Sequence, residues 1–159
     1  MMINISMGKF SDASQRTPKT SCKTFKNRDV YVAKSSYLKH IDELGLFASR
    51  EFQKGDVIQE YKGKIISDEQ ADMKKSGRKY MFDVHYNNKV VHVIDAAICS
   101  KSSAARYVNS TLTIDDINKN SEFIQYNLKI YLVATKYIPP NHEIISFYGR
   151  HTLAVLHQK

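Results

Sequence analysis

Short runs of strand-forming residues recur along most of this chain and constrain its fold more than any other feature. From Val30 onward, runs rich in Val, Ile, Tyr and Phe are separated by polar loops and by Gly, Pro or Asn turns. The runs expected to form strands are 30–32, 44–48, 57–66 with a bend at Gly63, 80–84, 90–94, 122–126, 129–136 and 143–148. They predict a β-rich domain, mostly β with short helices.

One segment carries clear helix signals. Ser67 and Gln70 are spaced as a capping box, in which each side chain bonds the other residue's backbone N–H. Two acidic residues follow in the expected first turn, and Lys74 and Lys75 stand in the expected last turn, as the helix dipole favours. One or two further helical turns are expected at 102–108.

Charge divides the chain into parts. The 159 residues fit one domain and carry a net charge of +8, of which +5 lies in residues 1–28 and +3 in residues 29–159. We expect 1–28 to be a basic, mostly disordered segment, either a solvated leader or a weak contact for nucleic acid. Residues 29–149 are then the folded domain, and 150–159 form a short C-terminal segment.

Several classes of protein are not favoured by this sequence. The two cysteines, Cys22 and Cys99, form no CxxC pair, so a zinc cluster is not expected and two free thiols are favoured over a disulfide. No apolar run reaches 18 residues, so no membrane span is expected, and no signal peptide is evident. The chain lacks GxSxG, HExxH, P-loop and Rossmann motifs, and its histidines are not paired as metal ligands.

Six segments, taken in order, resemble the SET domain from Val30 to Gly149. LGLFAS followed by FQKGDVIQEYKGKIISDEQAD is similar to that family's glycine turn, strand pair and short acidic helix. KYMFDV resembles its YLFD strand, VIDA its IDA strand, SSAARYVN its GNxARFxNHS segment and EIISFYG its EELTxxYG segment. The resemblance implies the SET-domain fold, several small sheets around a knot-like site, of the small single-domain type that includes viral SET proteins.

This resemblance implies a chemistry. Family members transfer a methyl group from S-adenosylmethionine to the side-chain amine of a lysine in a protein, with a histone tail as the usual substrate and a nuclear location, the host nucleus for a viral protein. The amine must be neutral to attack, and a narrow apolar channel lowers its pKa by desolvation. No metal is required.

Three tyrosines match family positions around the lysine. Tyr148, in SFYG, matches the catalytic tyrosine beside the transferred methyl. Tyr61, in QEYKG, matches a second catalytic position that lines the lysine channel and bonds the amine. Tyr80 matches a tyrosine on the cofactor side. Core packing is the alternative role for each, because tyrosine suits sheets.

The remaining matched positions belong to cofactor binding. The backbone of the opening turn is expected to face the methionine and ribose portions of S-adenosylmethionine, and Asn109 and the Ser110 backbone the adenine end. Arg106 is expected to be structural or near the cofactor. The residues of the opening turn are Glu43, Leu44 and Gly45.

The sequence departs from the family pattern in three places. Glu43 stands where the family has a glycine, which removes a residue suited to positive φ, and Ser110 stands where it has a histidine. The run from Asn109 to Asn120 is longer than the family's, with Asn120 taken as its end.

Two alternatives stay open, the first because of these departures and the second because of the net charge of +8. One is a catalytically weak or inactive SET-like module that binds histone or other basic tails. The other is a basic nucleic-acid-binding β domain, although the stripe of basic and stacking aromatic residues expected of such domains is missing.

The C-terminal segment is expected to close the site. No cysteine-rich tail follows Gly149, so no zinc-bound segment is available as a channel wall. Leu153, Val155 and Leu156 form an apolar cluster that we expect either to fold as a helical turn over the channel or to pack against a second copy in a homodimer.

Overall fold

This computed structural model describes residues 28–39, 42–75 and 77–148, and the backbone of 154–155. The strands are β1 Val30–Lys34, β2 Leu44–Ala48, β3 Val57–Tyr61, β4 Lys64–Ile66, β5 Met81–Tyr86, β6 Lys89–Asp95, β7 Asn109–Ser110, β8 Ser121–Tyr126, β9 Lys129–Ala134, β10 Glu143–Ser146 and β11 Ala154–Val155. The α-helix α1 spans Asp68–Asp72, and two 3-10 helices span Cys99–Lys101 and Ala104–Tyr107. The prediction of a β-rich domain with short helices is confirmed.

The described strands form three small sheets. Their orders are β1-β2-β10-β7, β11-β8-β9-β3 and β4-β6-β5. Most pairs are antiparallel, but β10 pairs in parallel with β7, joining Ile145 to Asn109 and Ser146 to Ser110. This pairing brings the segment after β10 beside the segment after β7, although the two are distant in sequence.

One apolar core joins the first two sheets. Leu46 from β2, Ile130 and Leu132 from β9, and Ile144 from β10 are fully buried in it, together with Phe52 from the loop after β2. Burying each such side chain contributes about 1.5–3 kcal/mol to stability. The core therefore holds β2, β9 and β10 against one another, and the residues of the candidate site include the first residues of β2 and β10.

Gly63 permits the bend between β3 and β4. A Cβ added there would lie 2.4 Å from the backbone oxygen of Asp95 and 2.8 Å from the backbone nitrogen of Ala96. Only a glycine allows this close approach to the end of β6. The bend predicted from the sequence is confirmed, and its cause is contact with a strand 30 residues away.

Helix α1 confirms the capping box and corrects its C-terminal end. The Gln70 N–H donates to Ser67 Oγ at 3.2 Å, and the Ser67 N–H donates to Gln70 Oε1 at 3.1 Å. The helix ends at Asp72, so Lys74 and Lys75 do not lie in its last turn. Instead, Lys74 Nζ lies 3.0 Å from Oδ2 of the buried Asp95, because an otherwise unpaired buried carboxylate would be costly.

Two further expectations are corrected. Ala154 and Val155 pair in parallel with Ile124 and Gln125 of β8, so this part of the C-terminal segment is a strand and not a helical turn. Cys99 is disulfide-bonded, which contradicts the expectation of free thiols. Leu153, Leu156 and residues 1–27 lie outside the described residues. Within the described part of the chain, no helix is long and apolar enough to cross a membrane.

Candidate active site

Four aromatic rings from four segments meet at the ends of the sheets. Tyr61 comes from β3, Phe82 from β5, Phe123 from β8 and Tyr148 from two residues after β10. The ring centroid of Tyr61 lies 4.7 Å from that of Phe82 and 5.6 Å from that of Phe123. Phe123 stacks on Tyr148 with 5.7 Å between their centroids. We call these four residues the aromatic cluster. Its contacts are of the edge-to-face and offset kinds that stabilise aromatic pairs.

Both tyrosine hydroxyls of the aromatic cluster donate to backbone carbonyls. Tyr61 donates to the Tyr80 oxygen at 2.8 Å, and Tyr148 makes a short hydrogen bond to the Val108 oxygen. Each phenolic proton is therefore committed within the protein. Toward a bound group, each oxygen is an acceptor.

Burial raises the pKa of both phenols above the ordinary value. Desolvation is the main cause that raises the pKa of Tyr61, and nearby Asp95 and Tyr80 add to it, while Arg106 acts in the opposite direction. Although 43% of Tyr148 is exposed, its hydroxyl end is enclosed, and burial raises its pKa with further contributions from Tyr61 and Tyr80. Neither residue is a phenolate at neutral pH, so neither acts as a general base in its ionised form.

Tyr80 has an unusual backbone conformation. The sequence places it at the start of a strand, but β5 begins at Met81, and Tyr80 lies in the preceding turn with φ of 63°. Its carbonyl accepts both the Tyr61 hydroxyl and the Ala96 N–H, the latter at 3.0 Å. The Arg106 guanidinium lies 4.4 Å from the Tyr80 ring centroid.

A buried carboxylate organises the second half of the site. Glu143, 6% exposed, accepts hydrogen bonds from Ser35 Oγ at 2.8 Å, from the N–H and Oγ of Ser36 at 2.7 and 2.8 Å, and from the Tyr37 N–H at 2.8 Å. Asn109 Nδ2 donates to it as well, at 3.0 Å. We call these five residues the Glu143 network.

The pKa of Glu143 reflects this network. Burial raises the pKa, but the hydrogen bonds, with that from Asn109 the largest and those from Ser35, Ser36 and the Tyr37 N–H following, outweigh it, so the pKa lies below the usual 4.5. Glu143 is therefore ionised at neutral pH and fixes its donors firmly.

The Glu143 network also fixes the start of β2, where the sequence predicted the opening turn. Asn109 Nδ2 donates to the Leu44 oxygen at 3.1 Å as well as to Glu143, so the amide oxygen is the group that Asn109 offers to a ligand. A Cβ on Gly45 would lie 2.3 Å from Glu143 Oε1 and 3.3 Å from Asn109 Nδ2, so this position requires glycine. Glu43 is exposed and is not among the residues with positive φ; its carbonyl accepts the Ser35 N–H at 2.8 Å.

Ser110 connects the two halves of the site. Its Oγ accepts the Tyr148 N–H at 2.9 Å and donates to the Thr111 oxygen at 3.0 Å. The long run that starts after Asn109 ends at Asn120. The Asn120 Nδ2 donates to the backbone oxygen of Glu143, and its Oδ1 accepts the Ile145 N–H, both at 2.8 Å. The insertion thus begins and ends against β10.

The structure places the residues chosen from the sequence in two groups. Tyr61, Tyr80 and Tyr148 lie together, as do Leu44, Gly45 and Asn109, with Ser110 between the groups. Arg106 lies against Tyr80, and Glu43 is exposed.

Sequence reasoning missed Glu143, Phe82 and Phe123. The signal for Glu143 was an acidic residue at the head of a buried apolar strand, where an ionised group needs several donors. The two phenylalanines carried no signal beyond ordinary strand composition.

Comparison with known proteins identifies the family. The family model described as "SET domain" matches residues 43–149. Histone-lysine N-methyltransferase 2D of Homo sapiens and that of Mus musculus are each 30% identical over 122 residues, which cover 73% of this chain and 2% of the relative. The chain thus matches only a small part of those curated relatives.

Solved structures agree with the family match. The methyltransferase domain of human PR domain-containing protein 2 superposes with a TM-score of 0.60 at 25% identity, covering 79% of this chain and 80% of that one. The ATXR5 SET domain, solved in complex with histone H3, superposes with a TM-score of 0.62 at 17% identity, covering 77% and 58%, and supports the fold alone. The chain belongs to the SET domain family, with homology to the SET domains of histone-lysine methyltransferases.

Proposed function

We propose that this protein is a protein-lysine N-methyltransferase that uses S-adenosylmethionine and acts on a histone tail. The family match and the 30% identity to a histone-lysine N-methyltransferase support the reaction class. The aromatic cluster is the observation that carries the proposal, because it joins two protonated tyrosines and two phenylalanines into an apolar site for an alkyl amine.

The chemistry of the site fits the cofactor. S-adenosylmethionine, when bound, supplies a methyl group activated on a sulfonium. The backbone of Glu43, Leu44 and Gly45 would face the cofactor's methionine and ribose portions, and Tyr80, in the other group, would lie on the cofactor side of the aromatic cluster. The Asn109 amide has its two donors committed, and its free oxygen suits the exocyclic amine of adenine, a donor. The Ser110 backbone would complete the adenine end.

The two tyrosines would orient the lysine. Because Tyr61 and Tyr148 donate their protons to backbone carbonyls, their oxygens can accept the amine's N–H groups and leave its lone pair to face the methyl group. The aromatic cluster excludes water around the lysine stem, which favours the neutral amine. Aromatic faces would also hold the cationic product.

Methylation of core histones tests the proposal. Mixed histones are incubated with the protein and isotopically labelled cofactor and examined by mass spectrometry. We expect label on lysine with the wild-type protein and with Tyr137→Phe, a matched control whose exposed hydroxyl bonds Glu51. Failure of the wild-type protein to label any histone or other lysine-containing protein would contradict the proposed activity.

Ser110 favours a second candidate, a SET-like module that binds basic tails without methyl transfer. Ser110 replaces the family's histidine, and its hydroxyl is used to hold the Tyr148 backbone. Calorimetric titration with the cofactor separates both candidates from a nucleic-acid-binding domain. The methyl-transfer assay on mixed histones separates the two from each other: an active enzyme labels lysine, whereas a module that has lost activity binds a histone peptide and labels nothing.

Other partners and the location follow from the same proposal. A histone substrate places the protein in the nucleus, on chromatin. The basic residues before Asp29 would add a weak contact to nucleic acid, whose affinity must fall with salt. A homodimer through the C-terminal segment would be detected by light scattering.

A further inference from the structure

Tyr80 is held in a conformation that tyrosine rarely adopts. Its φ of 63° lies in the left-handed region, where a bulky side chain is disfavoured. Such residues persist only where the surrounding structure fixes them, and they are concentrated at functional sites. The contacts that fix Tyr80 therefore bear on what it does.

Arg106 contacts the Tyr80 ring and also the peptide that bonds the Tyr80 carbonyl. Its guanidinium lies 4.4 Å from the Tyr80 ring centroid, and its Nε donates to the Ala96 oxygen at 2.8 Å. The N–H of Ala96 in turn donates to the Tyr80 oxygen at 3.0 Å. One side chain thus holds both the ring of Tyr80 and the peptide that bonds its carbonyl.

The carbonyl held in this way is the acceptor for Tyr61. It receives the Tyr61 hydroxyl at 2.8 Å, and this bond determines where the Tyr61 oxygen and its lone pairs point. Rotation of the Tyr80 peptide would remove the acceptor and leave a buried hydroxyl unpaired, because Tyr61 is only 3% exposed. Arg106 therefore acts on Tyr61 through Tyr80.

We propose that Arg106 is a positioning residue for methyl transfer, which fixes the Tyr80 carbonyl so that the Tyr61 hydroxyl keeps the orientation that accepts the substrate amine. The inference rests on the proposed function and adds to it a residue that acts through another. In this role Arg106 acts through the protein's own backbone, because its Nε donates to the Ala96 oxygen and its Nη2, at 3.3 Å, to the Ala97 oxygen.

A planar, forked cation is needed for this role. Arginine can stack its plane on an aromatic ring and donate from Nε in a fixed direction at the same time, whereas lysine provides a point charge. Lys79 already places an ammonium 5.0 Å from the Tyr80 ring, so charge near the ring is not what Arg106 uniquely supplies. Arg106→Lys therefore tests geometry while keeping the charge.

The test is a double-mutant cycle between Arg106 and Tyr61. Arg106→Lys should lower kcat by about fivefold in the wild-type background and by less than about twofold in a Tyr61→Phe background, where no hydroxyl remains to be oriented. A merely structural role would lower kcat equally in both backgrounds, and that result would overturn the proposal. Arg50→Lys is the matched control, because Arg50 stacks on Phe52 at 4.2 Å in another part of the fold.

A spectroscopic readout separates this inference from the proposed function. In protein with 13C-labelled tyrosine rings, Arg106→Lys should shift the Tyr80 and Tyr61 resonances and leave Tyr137 unchanged. Unchanged Tyr61 resonances would overturn the positioning role even in an active enzyme. If the wild-type protein methylates nothing but Tyr61 shifts, the proposed function fails while the structural coupling through Tyr80 stands.

Discussion

The two halves of the site are built by different forces. The aromatic cluster consists of large side chains that meet by packing, and apart from the two hydroxyls its contacts are apolar. The Glu143 network consists of small polar groups and backbone N–H donors arranged around one buried charge. Packed side chains tolerate small shifts in position, whereas hydrogen bonds to a buried carboxylate do not. Substitutions in the two halves should therefore have different effects.

This contrast matches the demands of the proposed reaction. A lysine stem and its methylated product require an apolar, water-excluding wall, which the aromatic cluster supplies. A polar cofactor requires donors and acceptors in fixed places, and a residue such as Asn109 is fixed only because Glu143 and the Leu44 oxygen hold its amide. Changes in the aromatic cluster should therefore alter rate, and changes in the Glu143 network should alter affinity.

Removal of residues 151–159 should have the largest effect. Ala154 and Val155 pair with β8 directly after Phe123, so the deletion opens the aromatic cluster to water and should abolish methyl transfer. Deletion of residues 157–159 alone leaves β11 in place and is the control. A fully active protein without 151–159 would show that the aromatic cluster is closed without this segment.

Tyr148→Phe should lower methyl transfer by at least about tenfold, or about 1.4 kcal/mol of transition-state stabilisation. The change removes the hydroxyl that we propose orients the amine, while the ring keeps its stacking on Phe123. Single-turnover kinetics measure the rate, and calorimetry should show nearly unchanged affinity for S-adenosylmethionine. Equal loss of rate and cofactor affinity would mean that the two halves are not separable.

Asn109→Ala should act on affinity instead. The change removes an amide that pairs with Glu143 and that, in the proposed function, offers its oxygen to the cofactor, so it should weaken S-adenosylmethionine binding by about tenfold. Asn118→Ala, on the exposed part of the insertion, is the matched control. Indistinguishable dissociation constants would remove Asn109 from the cofactor site.

The smallest effect is expected from pH. Because the pKa of Glu143 is lowered in the folded protein, its carboxylate contributes stability above about pH 4.5, and this contribution is lost as pH falls through the lowered value. Urea midpoints measured from pH 6 downward should show this decline in the wild-type protein and a flatter profile in Glu143→Gln. Parallel profiles would indicate that other carboxylates govern acid sensitivity.

Local features of the fold were predictable from the sequence. The alternation of strand-forming runs predicted the positions of most strands, and Ser67 with Gln70 predicted the start of α1, because these signals act within a few residues. The order of the motifs allowed Tyr61 and Tyr148 to be chosen as candidate site residues. It did not show that both rings contact Phe82 and Phe123.

Tertiary structure decided the features that depend on distant partners. Gly45 is required because Glu143, almost 100 residues later, fills the space of a Cβ, and Gly63 because β6 passes against it. The sequence could not show that Glu143 accepts several hydrogen bonds, because its donors come from the loop after β1 and from β7. The left-handed turn at Tyr80 likewise occurs where Arg106 and Ala96 contact the residue, whereas isolated tyrosine prefers negative φ. Local propensity is encoded residue by residue, whereas the buried charge, the close approaches and the strained turn exist only once separate strands have packed.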